Sequence, residues 1–194
     1  MTRSAPDYPV QLFANRAAFR KWLSAHHASQ PGAWLRIAKA GSEQRSVTYA
    51  EALDVALCFG WIDGQKRSDD ADFFLQKFTP RQKRSGWSKR NREHAARLIA
   101  AGEMHASGLA AVEAAKADGR WDRAYDSPGT VTVPHDLQVA LDAQPEAKAF
   151  FATLNGANRY AILYRIQTAV KPETRARRIA EFVAMLRRRE TLHP

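Results

Sequence analysis

The stretch that decides the fold is TYAEALDVALCFGWIDG, residues 48–64. Thr48 is followed three residues later by Glu51, which is a capping box and predicts that a helix begins here. Apolar residues then recur at helical spacing as far as Gly60, where the helix is expected to end. Beyond it the pattern from Ile62 to Arg67 is typical of a strand. A helix that leads directly into a strand is therefore the first pair of elements in the predicted fold.

Strand patterns occur on both sides of this pair, but only in the N-terminal half of the chain. They cover residues 8–13, 33–39, 62–67 and 73–78, and a further helix is predicted from Asn15 to about Ala25. From Ser88 onward the patterns are helical, over residues 88–101, 105–118, 135–143, 145–154, 156–170 and 172–189. The sequence predicts an α+β fold, with a small N-terminal sheet of about four short strands with packed helices, followed by an all-helical C-terminal part.

The 194 residues suit one domain, or one domain with a helical extension. We expect an α+β part with the candidate pocket over residues 1–119, an irregular connection over 120–134 and a helical part over 135–194, packed as one compact unit. A single cysteine, Cys58, excludes an internal disulfide framework and a Cys-rich zinc site. The six histidines show no metal-binding spacing, so no metal and no cofactor are expected.

No apolar run approaches the length of a transmembrane helix, and residues 1–10 carry no apolar core of a secretory signal. A cytoplasmic protein without a transmembrane segment is the expectation. Its formal net charge of +10 favours anionic partners. The alternative is a coding bias, because arginines outnumber lysines 21 to 9 and alanine is abundant.

The most basic segment is residues 77–97, with eight basic side chains and one acid, Glu93. A helix predicted to begin at Ser88, beside Arg81, would point its free N–H groups at an anion. Aromatic residues interleave with the charges, Trp87 among them, which is typical of base stacking. No nucleic-acid motif accompanies them, so the alternative to a small anionic ligand is weak, non-specific nucleic-acid binding. A solvated basic loop is the third interpretation.

The helix predicted from Thr48 places Glu51, Asp54 and Cys58 on the side opposite its core face. Two carboxylates at this spacing suit acid/base chemistry, or simply a solvated face. Asp63 lies just beyond, between Gly60 and Gly64, on the same strand face as Trp61. An enzyme that uses Asp54 or Asp63 as general base therefore stays an alternative, although the residues specify no reaction.

An aromatic residue beside an acid, with basic residues next to it, suits a polar ligand that has a flat group. A structural corner would use the same residues. The predicted ligand-binding residues are Trp61, Asp63, Lys66, Arg81, Trp87, Ser88, Asn91 and Arg175.

Arg175 is included because it falls on the apolar stripe of the last helix, one turn before Ile179. An inward-facing charge must be paired. We expect a carboxylate from the first 80 residues, such as Asp54, Asp63 or Asp70, or a bound anion. A snorkelling arginine at the helix end is the alternative.

Several short motifs together indicate a relationship to a known family. They are residues 51–54 (EALD), 58–64 (CFGWIDG), 78–81 (FTPR), 85–88 (SGWS), 102–104 (GEM) and 173–179 (ETRARRI). With them the chain resembles the YdeI/OmpD-associated family, also called bacteriocin-protection proteins, over about residues 10–188. Val170 departs from the alanine that members often have. The resemblance implies a role in envelope stress or bacteriocin tolerance and, by name only, a link to outer-membrane proteins. It implies no reaction.

Overall fold

The structure is a computed structural model that describes residues 8–194. It divides into two compact units. The first contains the described residues up to Gly86 together with residues 91–122, and the second contains residues 87–90 and 123–194. Of residues 1–10, where no secretory signal is expected, the first seven lie outside the described part of the chain.

A four-stranded sheet forms the centre of the first unit. Its strands are β1 (Val10–Gln11), β2 (Ala33–Ala38), β3 (Trp61–Ser68) and β4 (Phe73–Pro80), in the spatial order β1-β2-β4-β3. β1 pairs with β2 in parallel, and the other two pairs are antiparallel. The predicted α+β class with about four short strands is confirmed.

The first unit also contains α1 (Arg16–His26), α2 (Tyr49–Cys58) and α4 (Ala106–Ala117), while α3 (Lys89–Ala100) starts with two residues of the second unit. The predicted capping box opens α2. The Thr48 backbone N–H donates to the Glu51 carboxylate at 2.9 Å, and the Glu51 N–H donates to the Thr48 hydroxyl at 3.3 Å. A cap of this kind stabilises a helix by about 1 kcal/mol.

The passage from α2 to β3 needs a glycine. Gly60 has φ +75, a left-handed conformation that disfavours residues with a Cβ. A second glycine, Gly108 in α4, lets that helix pack closely on the end of α2, because a Cβ there would lie 2.2 Å from the carbonyl oxygen of Cys58. Together they bring β3 and α4 close to the C-terminal end of α2.

The two faces of the sheet differ in composition. Cross-strand pairs place Ala33, Leu35, Ile37, Phe74, Gln76 and Phe78 on one face, and all of these are buried except Phe74, which is half-buried. The opposite face carries the residues between them, namely Trp34, Arg36, Ala38, Phe73, Leu75 and Lys77. The first set is called the core face and the second the outer face.

The second unit is helical in its regular structure, with α5 (His135–Asp142), α6 (Pro145–Thr153), α7 (Gly156–Gln167) and α8 (Pro172–Arg187). Its core joins apolar residues of all four helices, including Leu141, Phe151, Ile162 and Phe182. Among residues 8–194, none of the helices is both long enough and apolar enough to cross a membrane.

Candidate functional site

The eight predicted ligand-binding residues divide between the two units. Trp61, Asp63, Lys66, Arg81 and Asn91 belong to the first, and Trp87, Ser88 and Arg175 belong to the second. A pocket that combines all eight stays a prediction.

Both tryptophans of this set are buried, with 1% of Trp61 and 2% of Trp87 exposed. The indole N–H of Trp61 donates to the carbonyl of His27 at 3.1 Å, and the rings of Trp61 and Trp22 form a T-shaped pair. The backbone carbonyl of Trp87 accepts from the N–H of Tyr125 at 2.9 Å. Each tryptophan therefore contributes to the packing of its own unit.

Asp63 and Lys66 lie on β3, and each contacts an aromatic residue. The Tyr49 hydroxyl donates to the Asp63 carboxylate at 2.8 Å. The Lys66 ammonium lies 4.1 Å from the centre of the Phe74 ring, a cation–π distance. Tyr49 and Phe74 line one cavity, so Asp63 and Lys66 each contact a residue of the same cavity lining.

This cavity, called here the Tyr49 cavity, has a volume of about 520 Å³. It lies between the end of β2, the loop over residues 39–48, the start of α2 and one residue of β4. Its lining residues are Ala14, Ile37, Ala38, Lys39, Ala40, Gln44, Arg45, Ser46, Thr48, Tyr49 and Phe74.

The cations at the Tyr49 cavity differ in their partners. The Lys39 ammonium donates to the backbone carbonyl of Asp70 at 2.6 Å. Arg45 is exposed and, within residues 8–194, forms neither a hydrogen bond nor an ion pair. Its guanidinium is therefore available to an anion that enters the cavity.

Arg81 and Asn91, the other two predicted residues of the first unit, have structural surroundings. A guanidinium N–H of Arg81 donates to the Gly86 carbonyl at 3.1 Å and so helps to close the turn between them. Asn91 is buried in α3, with 7% of its surface exposed. In the second unit, Ser88 forms an isolated bridge with Tyr125 directly before α3.

The expectation for Arg175 is wrong in its partner. The guanidinium donates to both carboxylate oxygens of Asp136, at 2.6 and 2.9 Å, and to the Ile166 carbonyl at 2.9 Å. The acid therefore comes from α5 and not from the first 80 residues. The physical premise holds, because a charge at the apolar stripe does find a carboxylate.

The carboxylates of α2 are both engaged. Glu51 belongs to the capping box, and Asp54 accepts from His94 Nδ1 at 2.7 Å and from Arg97 at 2.6 Å. Burial raises the pKa of Asp54, but the hydrogen bonds from His94 and Arg97 outweigh it and hold that pKa below its usual value. A carboxylate stabilised in this way is a weak base, which disfavours Asp54 as a general base.

Cys58 is fully buried, and burial raises the pKa of its thiol. A buried thiol with a raised pKa is a poor nucleophile. No cluster of three or more His, Cys, Asp or Glu side chains suited to a metal ion occurs in residues 8–194.

Arg45, Tyr49 and Phe74 are the site residues that sequence reasoning missed. Residues 41–45 read as a polar turn, and Tyr49 reads as a core residue of its helix. The available signal was the pair of cations, Lys39 and Arg45, in the loop between an apolar strand and an aromatic helix start.

Comparison with known families gives two matches along the chain. Residues 11–111 match the family described as Domain of unknown function (DUF8412), and residues 130–189 match the one described as Bacteriocin-protection, YdeI or OmpD-Associated. The second match confirms the expected family and contains the motif at residues 173–179. The other motifs of the resemblance lie within the stretch matched by the first model.

Searches of curated proteins and of solved structures gave no match. The model of the family described as Domain of unknown function (DUF8412) covers more than half of the chain, so the chain belongs to that family, and its residues 130–189 are similar to the family described as Bacteriocin-protection, YdeI or OmpD-Associated.

Proposed function

We propose that the protein binds a small organic anion with a flat apolar group in the Tyr49 cavity. The observation that carries the proposal is Arg45, which lines an apolar cavity of about 520 Å³ and whose guanidinium has no acidic partner among the described residues. Small-molecule sites have this character: they are concave and mostly apolar, with a few polar groups that orient the ligand.

The walls of the cavity favour a flat group. Ile37 and Phe74 come from neighbouring strands, and the ring of Tyr49 comes from the start of α2. The hydrogen bond to Asp63 restrains the Tyr49 ring. A planar ligand would contact these side chains with little loss of side-chain entropy, because the residues are already held by the fold.

The charges favour an anion. Arg45 and Lys39 line the cavity, and Lys66 lies against Phe74 at its border. A guanidinium binds carboxylate and phosphate groups through two parallel hydrogen bonds. Two acidic side chains contact residues of the lining and are both hydrogen-bonded: Asp63 accepts from the Tyr49 hydroxyl, and Glu51 accepts from Thr48.

For the cell, we propose a role in bacteriocin tolerance or envelope stress, exerted from the cytoplasm. The family description matched by residues 130–189 supports the bacteriocin part of this role. An enzymatic role for Asp63 stays a second proposal, since its carboxylate accepts a hydrogen bond from Tyr49, which lines the cavity.

Isothermal titration with benzoate, phenyl phosphate and inorganic phosphate tests the binding proposal. We expect the aromatic anions to bind more tightly than inorganic phosphate. Arg45→Ala should weaken them about tenfold or more, the usual loss for a charge-assisted hydrogen bond. Ala40→Trp should block binding by filling the cavity from an exposed position.

Arg84→Ala is the matched control, because Arg84 is also an exposed arginine without a partner in the described residues but lies away from the cavity lining. If Arg45→Ala and Arg84→Ala lost the same affinity for the aromatic anions, the loss would follow from the change in net charge alone, and the site would be refuted. Absence of binding by all three probes would refute the proposal itself.

A further inference from the structure

The outer face of the sheet combines aromatic and basic side chains. Strand pairing aligns Val10 with Trp34 and Trp34 with Lys77 in one row, and Arg36 with Leu75 and Leu75 with Arg67 in the next. Because directly paired residues point to the same side of a sheet, these side chains share one surface.

Cations lie against the aromatic rings of this face. The Arg67 guanidinium is 4.5 Å from the centre of the Trp34 ring, and the Lys77 ammonium is 5.7 Å from it. Arg36 lies 4.1 Å from the Phe73 ring. The centre of the face is therefore an indole that carries an arginine and a lysine.

The charge of this face is positive. β2 and β4 contain no acid, and Asp63 of β3 pairs with Phe78, which places it on the core face. The nearest acids, Asp69 and Asp70, lie in the turn between β3 and β4 and form ion pairs with Arg36.

Among the described residues, neither Arg67 nor Lys77 has a carboxylate partner. The Lys77 ammonium donates to the side-chain carbonyl of Gln65, which carries no charge. Two positive charges on this face are therefore unneutralised.

The surface is open at this point. Arg67 is exposed, and 55% of Val10 is exposed. Trp34 is only 5% exposed, and Arg67 and Lys77 are its cationic contacts. A ligand therefore meets the guanidinium of Arg67 first, with the indole behind it.

We infer that the outer sheet face binds single-stranded nucleic acid. A base stacks on the face of the Arg67 guanidinium, which the Trp34 ring supports from beneath. The edge of that guanidinium and the Lys77 ammonium each pair with a phosphate of the same strand. Unpaired bases stack on arginine planes and aromatic rings in this way, and the contact tolerates any base sequence. Duplex DNA is disfavoured, because its bases are already stacked and it is read by an element that enters a groove.

This surface goes beyond the proposed function, because Trp34, Arg67 and Lys77, which form it, do not line the Tyr49 cavity; of the outer face only Ala38 does. It also differs from the basic segment 77–97, with which it shares only Lys77. With two unpaired cations, binding is weak, and the slope of log K against log salt is about −1.4, or about −0.7 for each phosphate engaged on a single strand.

Fluorescence anisotropy of a labelled oligothymidine with the full chain, over a salt series, tests the inference. Arg67→Ala should lower the affinity about fivefold or more and reduce the slope by about 0.7. Arg67→Lys keeps the charge and loses the planar group, so it should keep the slope and still lose affinity. Tryptophan fluorescence should be quenched on binding to the parent protein.

Arg45→Ala is the control, since it removes an exposed arginine of the Tyr49 cavity. It should leave oligonucleotide affinity unchanged, while Arg67→Ala should leave benzoate affinity unchanged, so that the two proposals fail separately. Full affinity in Arg67→Lys, equal losses in Arg45→Ala and Arg67→Ala, or tighter binding of the duplex than of the single strand would each overturn the inference.

Discussion

The Arg175 guanidinium donates hydrogen bonds to both carboxylate oxygens of Asp136, from Nε at 2.6 Å and from Nη2 at 2.9 Å. Its third nitrogen donates to the carbonyl of Ile166, near the end of α7. One side chain thus joins the first turns of α5 and α8 to the last turn of α7. These bonds restrain three helices of the second unit at one point.

Arg175→Ala should destabilise the second unit by about 1–2 kcal/mol, because it removes a partly exposed ion pair and the hydrogen bond to Ile166. Thermal unfolding followed by circular dichroism measures the loss. Arg177→Ala is the control, since Arg177 pairs with Glu181 on the exposed surface of the same helix and should cost less than about 0.5 kcal/mol. Equal losses would contradict a special role for Arg175.

The same ion pair should make stability depend on acid. The hydrogen bond from Arg175 holds the pKa of Asp136 below its ordinary value, despite partial burial. The stabilisation by this ion pair is therefore fully present above the pKa of Asp136 in the unfolded chain, near 3.9. It is lost as the pH falls through the lower pKa that Asp136 has in the folded protein. The Tm difference between the parent and Asp136→Asn should shrink on going from about pH 6 to about pH 3. A constant difference would show that the charge of Asp136 contributes nothing.

Tyr160 should titrate late in alkali. Burial, followed by the neighbouring Tyr125 and Tyr164, raises the pKa of Tyr160 to about 12. The neutral Tyr160 hydroxyl therefore contributes its full stability below the pKa that tyrosine has in the unfolded chain, near 10. This contribution is lost as the pH rises towards the pKa of Tyr160 in the folded protein. Absorbance of tyrosinate during an alkaline titration should lose its last transition in Tyr160→Phe. Disappearance of an earlier transition instead would refute the assignment.

Gly108→Ala should be destabilising by about 1–3 kcal/mol, because the new methyl group would press on the backbone of α2. The clash outweighs the gain of about 1 kcal/mol that alanine brings to a helix interior. In Gly129→Ala the added Cβ meets nothing within 4 Å, so stability should change by less than about 0.5 kcal/mol. Denaturant unfolding compares the two variants, and a neutral Gly108→Ala would mean that α4 is free to shift.

Local patterns in the sequence were sufficient to predict the helices and strands. The capping box at Thr48, the glycine after α2 and the strand patterns on either side of the acidic turn each depend on residues close together in the chain. Proline at the start of α8 acts in the same local way. The class and most boundaries follow from such short-range effects, since caps, turns and periodicity act within a few residues.

The sequence did not predict which residues far apart in the chain become hydrogen-bond partners. Arg175 was correctly expected to need a carboxylate, yet Asp136 lies 39 positions away and competes in sequence with other acids. Asp54 had the spacing of an acid/base pair, but His94 and Arg97 from α3 hold its pKa low. Burial and hydrogen bonding set these properties, and both depend on which elements pack together.

By itself, the sequence determined an α+β chain with a basic balance, a free cysteine and the family motifs. The tertiary structure alone decided that Tyr49, Phe74 and Arg45 surround one cavity, and that Trp34, Arg67 and Lys77 share one face of the sheet. Periodicity along one element tells which of its residues point the same way. Which elements become neighbours depends on how the whole chain buries its apolar surface, so a site built from several elements exists only in the folded protein.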